Sequence, residues 1–207
     1  MGHFKSLSIS GNFGYEAPRH ALECMCPACH PSPTPPAPAP ALPNRPTLQP
    51  VLAISGSRYL TLSHYPVMAG LIAIISPASI WTGCANGADS IATLAANRIG
   101  IPVRKFYASG PLPAQLAARS NAFIRATAKV PRAALLSFPN TPAPANLRPN
   151  LKSWQPCGSG SWSGIALALG LGIRVAIVTT HGPPPSLGAW RKLQPCIFVS
   201  QPAQLEF

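Results

Sequence analysis

The stretch VLAISGSR, residues 51–58, decides the fold. Its first residues form a short apolar run ending at Gly56, the pattern of a strand buried on both faces. Such strands belong to parallel sheets covered by helices. Directly after the strand, Gly56 lets backbone approach a ligand closely. Ser57 offers a hydroxyl, and Arg58 a fork of donors suited to phosphate.

Working outward, the same alternation recurs. Residues 66–75 are apolar and helix-compatible, and SIWTG (79–83) reads as a second strand. From Ala88 onward, Ala88, Ile91, Ala92 and Ala95 fall at helical spacing. IPVRKFY (101–107) predicts a third strand, QLAARSNAFIRATA (115–128) a helix and AALLSF (133–138) a fourth strand. A Pro- and Asn-rich loop follows, and residues 139–157 read as a lid or a disordered segment. SWSGIALALGLG (161–172) suits a helix, and IRVAIVT (173–179) a fifth strand. Strands alternating with helices imply right-handed crossovers and an α/β fold with a mostly parallel sheet of five or more strands.

Upstream of residue 51 the composition changes. PSPTPPAPAPALPNRPTLQP (31–50) contains nine prolines and predicts an extended linker. It separates an irregular Cys- and His-containing extension (1–30) from the main domain (51–207). Within that extension, Cys24, Cys26, Cys29 and His30 lie close together. Cys26-x-x-Cys29 has the spacing of a zinc half-site, while the alternative is a short reduced tail. No apolar run reaches the about 20 residues of a membrane span. The segment from Val67 to Ile80 contains Pro77, and that from Ile165 to Val178 contains Arg174. The N-terminus has no apolar signal segment, so a cytoplasmic location without membrane contact is the expectation.

The charge inventory is lopsided: 16 Lys+Arg stand against 4 Asp+Glu, a formal net charge of +12. The acids are Glu16, Glu23, Asp89 and Glu206, so the domain carries one carboxylate before its last few residues. Paired-carboxylate glycoside hydrolysis, carboxylate-held two-metal phosphoryl chemistry and an EF-hand loop are thereby excluded. The cationic surplus favours polyanions, and single-stranded nucleic acid is one partner class it fits. Trp81, Trp154, Trp162 and Trp190 are either stacking platforms for bases or core and loop anchors.

In α/β folds of this kind ligands sit beyond the carboxyl ends of the strands, and the informative residues lie there. After the second strand, Gly83-Cys84-Ala85-Asn86-Gly87-Ala88-Asp89 turns into a helix N-terminus, where N–H groups and the helix dipole favour anions. Asp89 reads either as a helix-terminus acid or as an acceptor for a ribose or base group. Arg119 and Asn121 lie early in a helix, near the end of the third strand. Arg125, Lys129 and Arg132 read as a solvated basic face. Gly158-Ser159-Gly160-Ser161 opens the last helix and forms a second anion-cradle candidate.

This order of motifs resembles the SLOG superfamily, which includes DprA, the LOG phosphoribohydrolases and other nucleotide-binding proteins. ISGSR (54–58), GCANGAD (83–89), the Arg119–Asn121 element and the Gly/Ser-rich turn carry the likeness. It implies a Rossmann-like three-layer sandwich and a nucleotide or nucleotide-derived ligand. It further implies a pocket lined by Gly56, Ser57, Arg58, Gly83, Gly87, Asp89, Arg119, Asn121, Gly158, Gly160 and Ser161. Association into a homo-oligomer is a further implication of the resemblance. The LOG enzymes carry a catalytic Glu in their Pro-Gly-Gly-x-Gly-Thr-x-x-Glu motif. Gly164 stands at that position here. The expectation is therefore binding or sensing, with a DprA-like single-stranded DNA binder as the first alternative and a LOG-like nucleotide hydrolase using another base as the second.

Overall fold

The computed structural model describes residues 51–150, 158–183 and 185–201. The Cys24–His30 cluster, the 31–50 linker, Trp154 and Cys157 lie outside the described residues. Seven strands and four helices follow in chain order: β1 (Val51–Gly56), α1 (Tyr65–Ile75), β2 (Ser79–Thr82), α2 (Ala88–Ile99), β3 (Val103–Lys105), α3 (Pro113–Ala128), β4 (Ala134–Phe138), α4 (Gly160–Gly170), β5 (Arg174–Val178), β6 (Trp190–Gln194) and β7 (Ile197–Ser200). A single 3-10 turn, Leu62–His64, leads into α1. None of these helices is long and apolar enough to cross a membrane.

The strands form one sheet in the order β3-β2-β1-β4-β5-β7-β6. The first five are parallel. The last two form an antiparallel hairpin added beside β5. Sequence patterning finds the parallel strands and passes over the hairpin, because WRKLQ (190–194) is exposed along most of its length and carries no apolar alternation.

Strand alternation divides the core. Leu52 and Ile54 face Met68 and Ile72 of α1 and Ile91, Ala92 and Ala95 of α2. Ala53, Leu135, Val175 and Ile177 face Phe123 and Ile124 of α3 and Trp162 and Ile165 of α4. The helices thus cover both faces, α1 and α2 on one and α3 and α4 on the other. Helix stops are encoded locally. Ser76 ends α1 in the left-handed region at φ 47° with its N–H on Ile72 O at 2.8 Å, and Pro77 follows. Gly100 ends α2 at φ 78°, the usual role of a glycine after a helix.

The chain leaves β1 toward β2 on one side and returns beyond β3 to β4 on the other. The carboxyl ends of β1 and β4 are therefore neighbours from which connections diverge, which is where α/β sheets open a crevice. The segment after β4 is no lid as far as residue 150. Leu147 is buried in the core, and the Asn150 N–H donates to Ala166 O of α4 at 3.2 Å.

Gly56 fixes how closely α2 approaches this edge. A Cβ there would meet Ala88 Cβ at 2.8 Å and Phe138 O at 2.8 Å. Gly56→Ala is therefore expected to cost about 1–3 kcal/mol through overpacking. Urea denaturation measures it, and an unchanged midpoint would refute the tight fit.

Candidate functional site

Beyond β1, the Ser57 N–H donates to Phe138 O at 3.0 Å, stitching the turn to the end of β4. The Ser57 hydroxyl accepts the Tyr59 N–H at 3.1 Å, a local turn of the kind serines favour. One residue earlier, Ser55 Oγ donates to Ser137 Oγ at 3.1 Å. Arg58 and Tyr59 then project outward as exposed side chains.

The GCANGAD turn is organised by Asp89. Its Oδ2 accepts the Ala85 N–H at 3.1 Å and Arg119 Nη1 at 3.2 Å. The Thr82 hydroxyl lies 3.2 Å from Oδ1 and 3.1 Å from Ile54 O, with one proton to give. The pair is deeply placed, its side chains 10% (Arg119) and 8% (Asp89) exposed. Burial raises the Asp89 carboxyl above its ordinary 3.8, and the Arg119 charge with the three hydrogen bonds offsets only part of that rise. Asp89 lies in the first turn of α2 and also lines the cavity described below. It is an internal clamp joining β2, the turn and α3.

The two flanking glycines serve this clamp. A Cβ on Gly83 would collide with Arg119 Nη1 and Asp89 Oδ2. Gly87 has φ +73°, and a Cβ there would strike the Ser57 carbonyl. The first N–H of α2, from Ala88, is spent on Ser57 O at 3.1 Å. Two donors of this turn, the Ala85 and Ala88 N–H groups, are thus committed to protein acceptors.

A cavity of about 510 Å³ opens at the ends of β1 and β4, within the usual range for a small-molecule site. Gly56, Ser57 and Arg58 form one side, with Asp89 and Arg119 behind them. Gly158, Gly160 and Ser161 form another, where α4 begins. The lining omits three residues expected there. Gly83 and Gly87 lie behind it, as above. Asn121 turns to its own helix, its Oδ1 accepting Arg125 Nε at 2.7 Å. Arg125 is accordingly half-buried rather than part of a solvated face.

Two parts of the site escape sequence reasoning. Pro113, Leu116, Phe123 and Ile124 give the cavity an apolar wall from α3. Their helical spacing signals a core face, and nothing in it separates core from cavity. Asn140 and Thr141, directly after β4, complete the rim. The rule that ligand residues follow strands could have singled them out. Trp162 anchors that rim from below. It is fully buried and donates Nε1–H to Thr141 O at 2.9 Å, so it is a core anchor and no stacking platform. Trp81 is half-buried against Phe106, with Arg104 4.6 Å over its ring.

Chemically, the cavity offers donors. The first N–H groups of α4 have no partner within the helix, and the helix dipole adds positive potential there. Arg58 stands at the rim. Arg119 spends Nη1 on Asp89, while its buried Nε has no hydrogen-bond partner. Among the described lining residues there is no His, Cys, Lys or Glu. Compared with known proteins, the chain matches no family model and no curated sequence.

The clamp makes a pH-dependent prediction. Removing the cation by Arg119→Met strands a buried carboxyl and is expected to cost about 3–5 kcal/mol near neutrality. Because burial already raises the Asp89 pKa, the folded protein takes up this proton before the unfolded chain does. Its contribution to stability is full below 3.8 and is lost as pH rises through the folded value. The variant's carboxyl rises further still, so its deficit should shrink as pH falls from 7 toward 4. Paired thermal melts across that range check this, and a deficit constant with pH would contradict the clamp.

Proposed function

We propose that this chain is a Rossmann-like nucleotide-binding protein of the SLOG kind, acting as a binding or sensing module. The observation that carries the reading is the cavity at the diverging ends of β1 and β4, into which the N-terminus of α4 opens. Arg58 and the buried, unsatisfied Nε of Arg119 flank it. A phosphate on the Gly158–Ser161 turn would meet backbone N–H groups and the helix dipole together. The apolar wall of Leu116, Phe123 and Ile124 suits the face of a base, with the polar groups fixing orientation.

Binding without hydrolysis is supported by the fate of the one nearby acid. Asp89 accepts hydrogen bonds from the Ala85 N–H and Arg119, with the Thr82 hydroxyl beside it, and it supports the wall instead of facing a scissile bond. Gly164 lines the cavity where a LOG-type Glu would stand. The rival reading, a single-stranded DNA binder, is favoured by one feature: exposed Tyr107 follows the exposed cations Arg104 and Lys105 of β3. Aromatic groups beside cations suit single-stranded nucleic acid.

Differential scanning fluorimetry with nucleoside mono-, di- and triphosphates tests the leading reading. A ligand at 100 times its dissociation constant adds about 2.7 kcal/mol, or roughly 5–10 °C for a domain of this size. Ser161→Asp should leave the unliganded midpoint unchanged or slightly raised, since an acid suits the first turn of a helix. The same substitution should abolish the nucleotide shift by repelling phosphate. A shift that survives it would refute the cradle. Oligonucleotide binding that weakens steeply with salt and ignores Ser161→Asp would favour the DNA reading instead.

A further inference from the structure

Arg119 gives Nη1 to the Asp89 carboxyl at 3.2 Å, with the two side chains 10% and 8% exposed. Its Nε is buried as well and has no hydrogen-bond partner. Both residues line the cavity. Nε and Nη1 direct their hydrogens to different edges of the planar guanidinium. An anion that accepts from Nε–H therefore need not displace Asp89, and one cation then faces two anions.

The other oxygen of the carboxyl has a place ready for a proton. Thr82 is fully buried, and its Oγ1 lies 3.2 Å from Asp89 Oδ1 and 3.1 Å from Ile54 O. A hydroxyl has one proton to give and lone pairs with which to accept. Beside an ionised Asp89, the Thr82 proton serves one of these two acceptors at a time. With a proton on Oδ1, Oδ1–H donates to Thr82 Oγ1 and the Thr82 hydroxyl donates to Ile54 O. Oδ2 still accepts the Ala85 N–H and Arg119 Nη1. The neutral acid thus keeps all of these contacts.

Few other charged or titratable groups surround Asp89. The loop after β1 brings Arg58 and Tyr59 to the cavity, and the turn after β2 carries the exposed Cys84. Lys105 of β3, opposite Thr82 in the sheet register, is exposed. On α1, Tyr65 lies beneath Arg98 of α2. The start of α4 lines the cavity with glycines and serines. His64 and His181 are exposed and absent from the lining.

Resting on the nucleotide-binding reading above, we propose that this site takes up a proton together with its ligand: a phosphate oxygen accepts from Arg119 Nε–H, and one proton from solvent joins Asp89 Oδ1. The bound anion draws on the cation that steadies the carboxylate and adds like charge beside it. Both effects favour the neutral acid. Burial already acts in that direction, holding the Asp89 carboxyl above its ordinary value in the free protein. Asp89 therefore titrates at a higher pH in the complex than alone. Affinity rises as pH falls from the bound midpoint to the free one, by up to about tenfold per pH unit for one proton. Outside that span it is level. The site reads phosphate and proton jointly.

The chain contains a single Asp, so isotopic labelling of the Asp side-chain carboxyl gives one NMR resonance in the full-length protein. Its titration from about pH 4 to 8 is compared alone and with adenosine or uridine monophosphate in excess. The midpoint should rise by at least about one pH unit with nucleotide. Calorimetry in two buffers of different ionisation enthalpy should show proton uptake between the two midpoints. Asp89→Asn keeps an acceptor for Ala85 and Arg119 but takes no proton. Its binding should follow only the ligand's own phosphate ionisation, near about pH 6. If that variant does not fold, the wild-type resonance decides alone. A nucleotide that binds while the Asp89 midpoint stays or falls would overturn the coupling and leave the nucleotide reading standing. Absence of binding at every pH, by melting and by resonance shifts, would overturn both.

Discussion

A buried carboxyl set against a buried guanidinium holds the cavity edge of this molecule in place. Asp89 reaches Thr82 at the end of β2, Ala85 in the following turn and Arg119 on α3. These elements belong to both faces of the sheet, since α2 packs on one side and α3 on the other. The pair is a polar tie between the two layers beneath the cavity. Burial opposes ionisation of the carboxyl, and the Arg119 cation offsets part of that cost. Gly83 is the steric condition for the contact, because any side chain there would occupy the position of Arg119 Nη1.

That constraint explains the division of labour around the cavity. The turn after β2 is consumed in structure: Ala88 donates to Ser57, Ala85 to Asp89, and Gly87 passes against the Ser57–Arg58 backbone. It shapes the loop after β1 from behind. The opposite turn, at the start of α4, lines the cavity from Gly158 to Ser161, while the first turn contributes Ala85 and Asp89 to it.

Much of this architecture was legible before any coordinates. Apolar runs such as AALLSF and VAIV, each followed by a turn, located the five parallel strands, because strands covered on both faces need no polar alternation. The β6–β7 hairpin was not legible, since Arg191 and Lys192 on an exposed edge read as loop. At the site, residue type is a good guide to position, and the partners of each residue within the fold are harder to read. Asp89, Gly83 and Gly87 drew attention because carboxylates and glycines near strand ends often meet ligands. The partner that removes Asp89 from solvent sits 30 residues away on another helix, and no local pattern announces such a pairing. Asn121 failed for the opposite reason: its partner, Arg125, is one helical turn along, which is the commonest neighbour a helix provides.

The sign of the charge follows from the same arrangement. Among the described residues Asp89 is the only carboxylate side chain, and it is turned inward. The cavity lining therefore holds two cations, Arg58 and Arg119, against one carboxyl that is already paired, with the N-terminus of α4 beside them. A site of that kind attracts many anions, and long-range attraction in a +12 chain sharpens affinity more than choice. Discrimination must come from what does not carry charge. The apolar wall of α3 and the Asn140–Thr141 rim differ in polarity from the cationic side, and on the proposed nucleotide reading a base and a phosphate would each meet a matching side. On that reading a bare phosphate would leave Leu116, Phe123 and Ile124 facing water, and an uncharged aromatic would leave the cationic side unmatched.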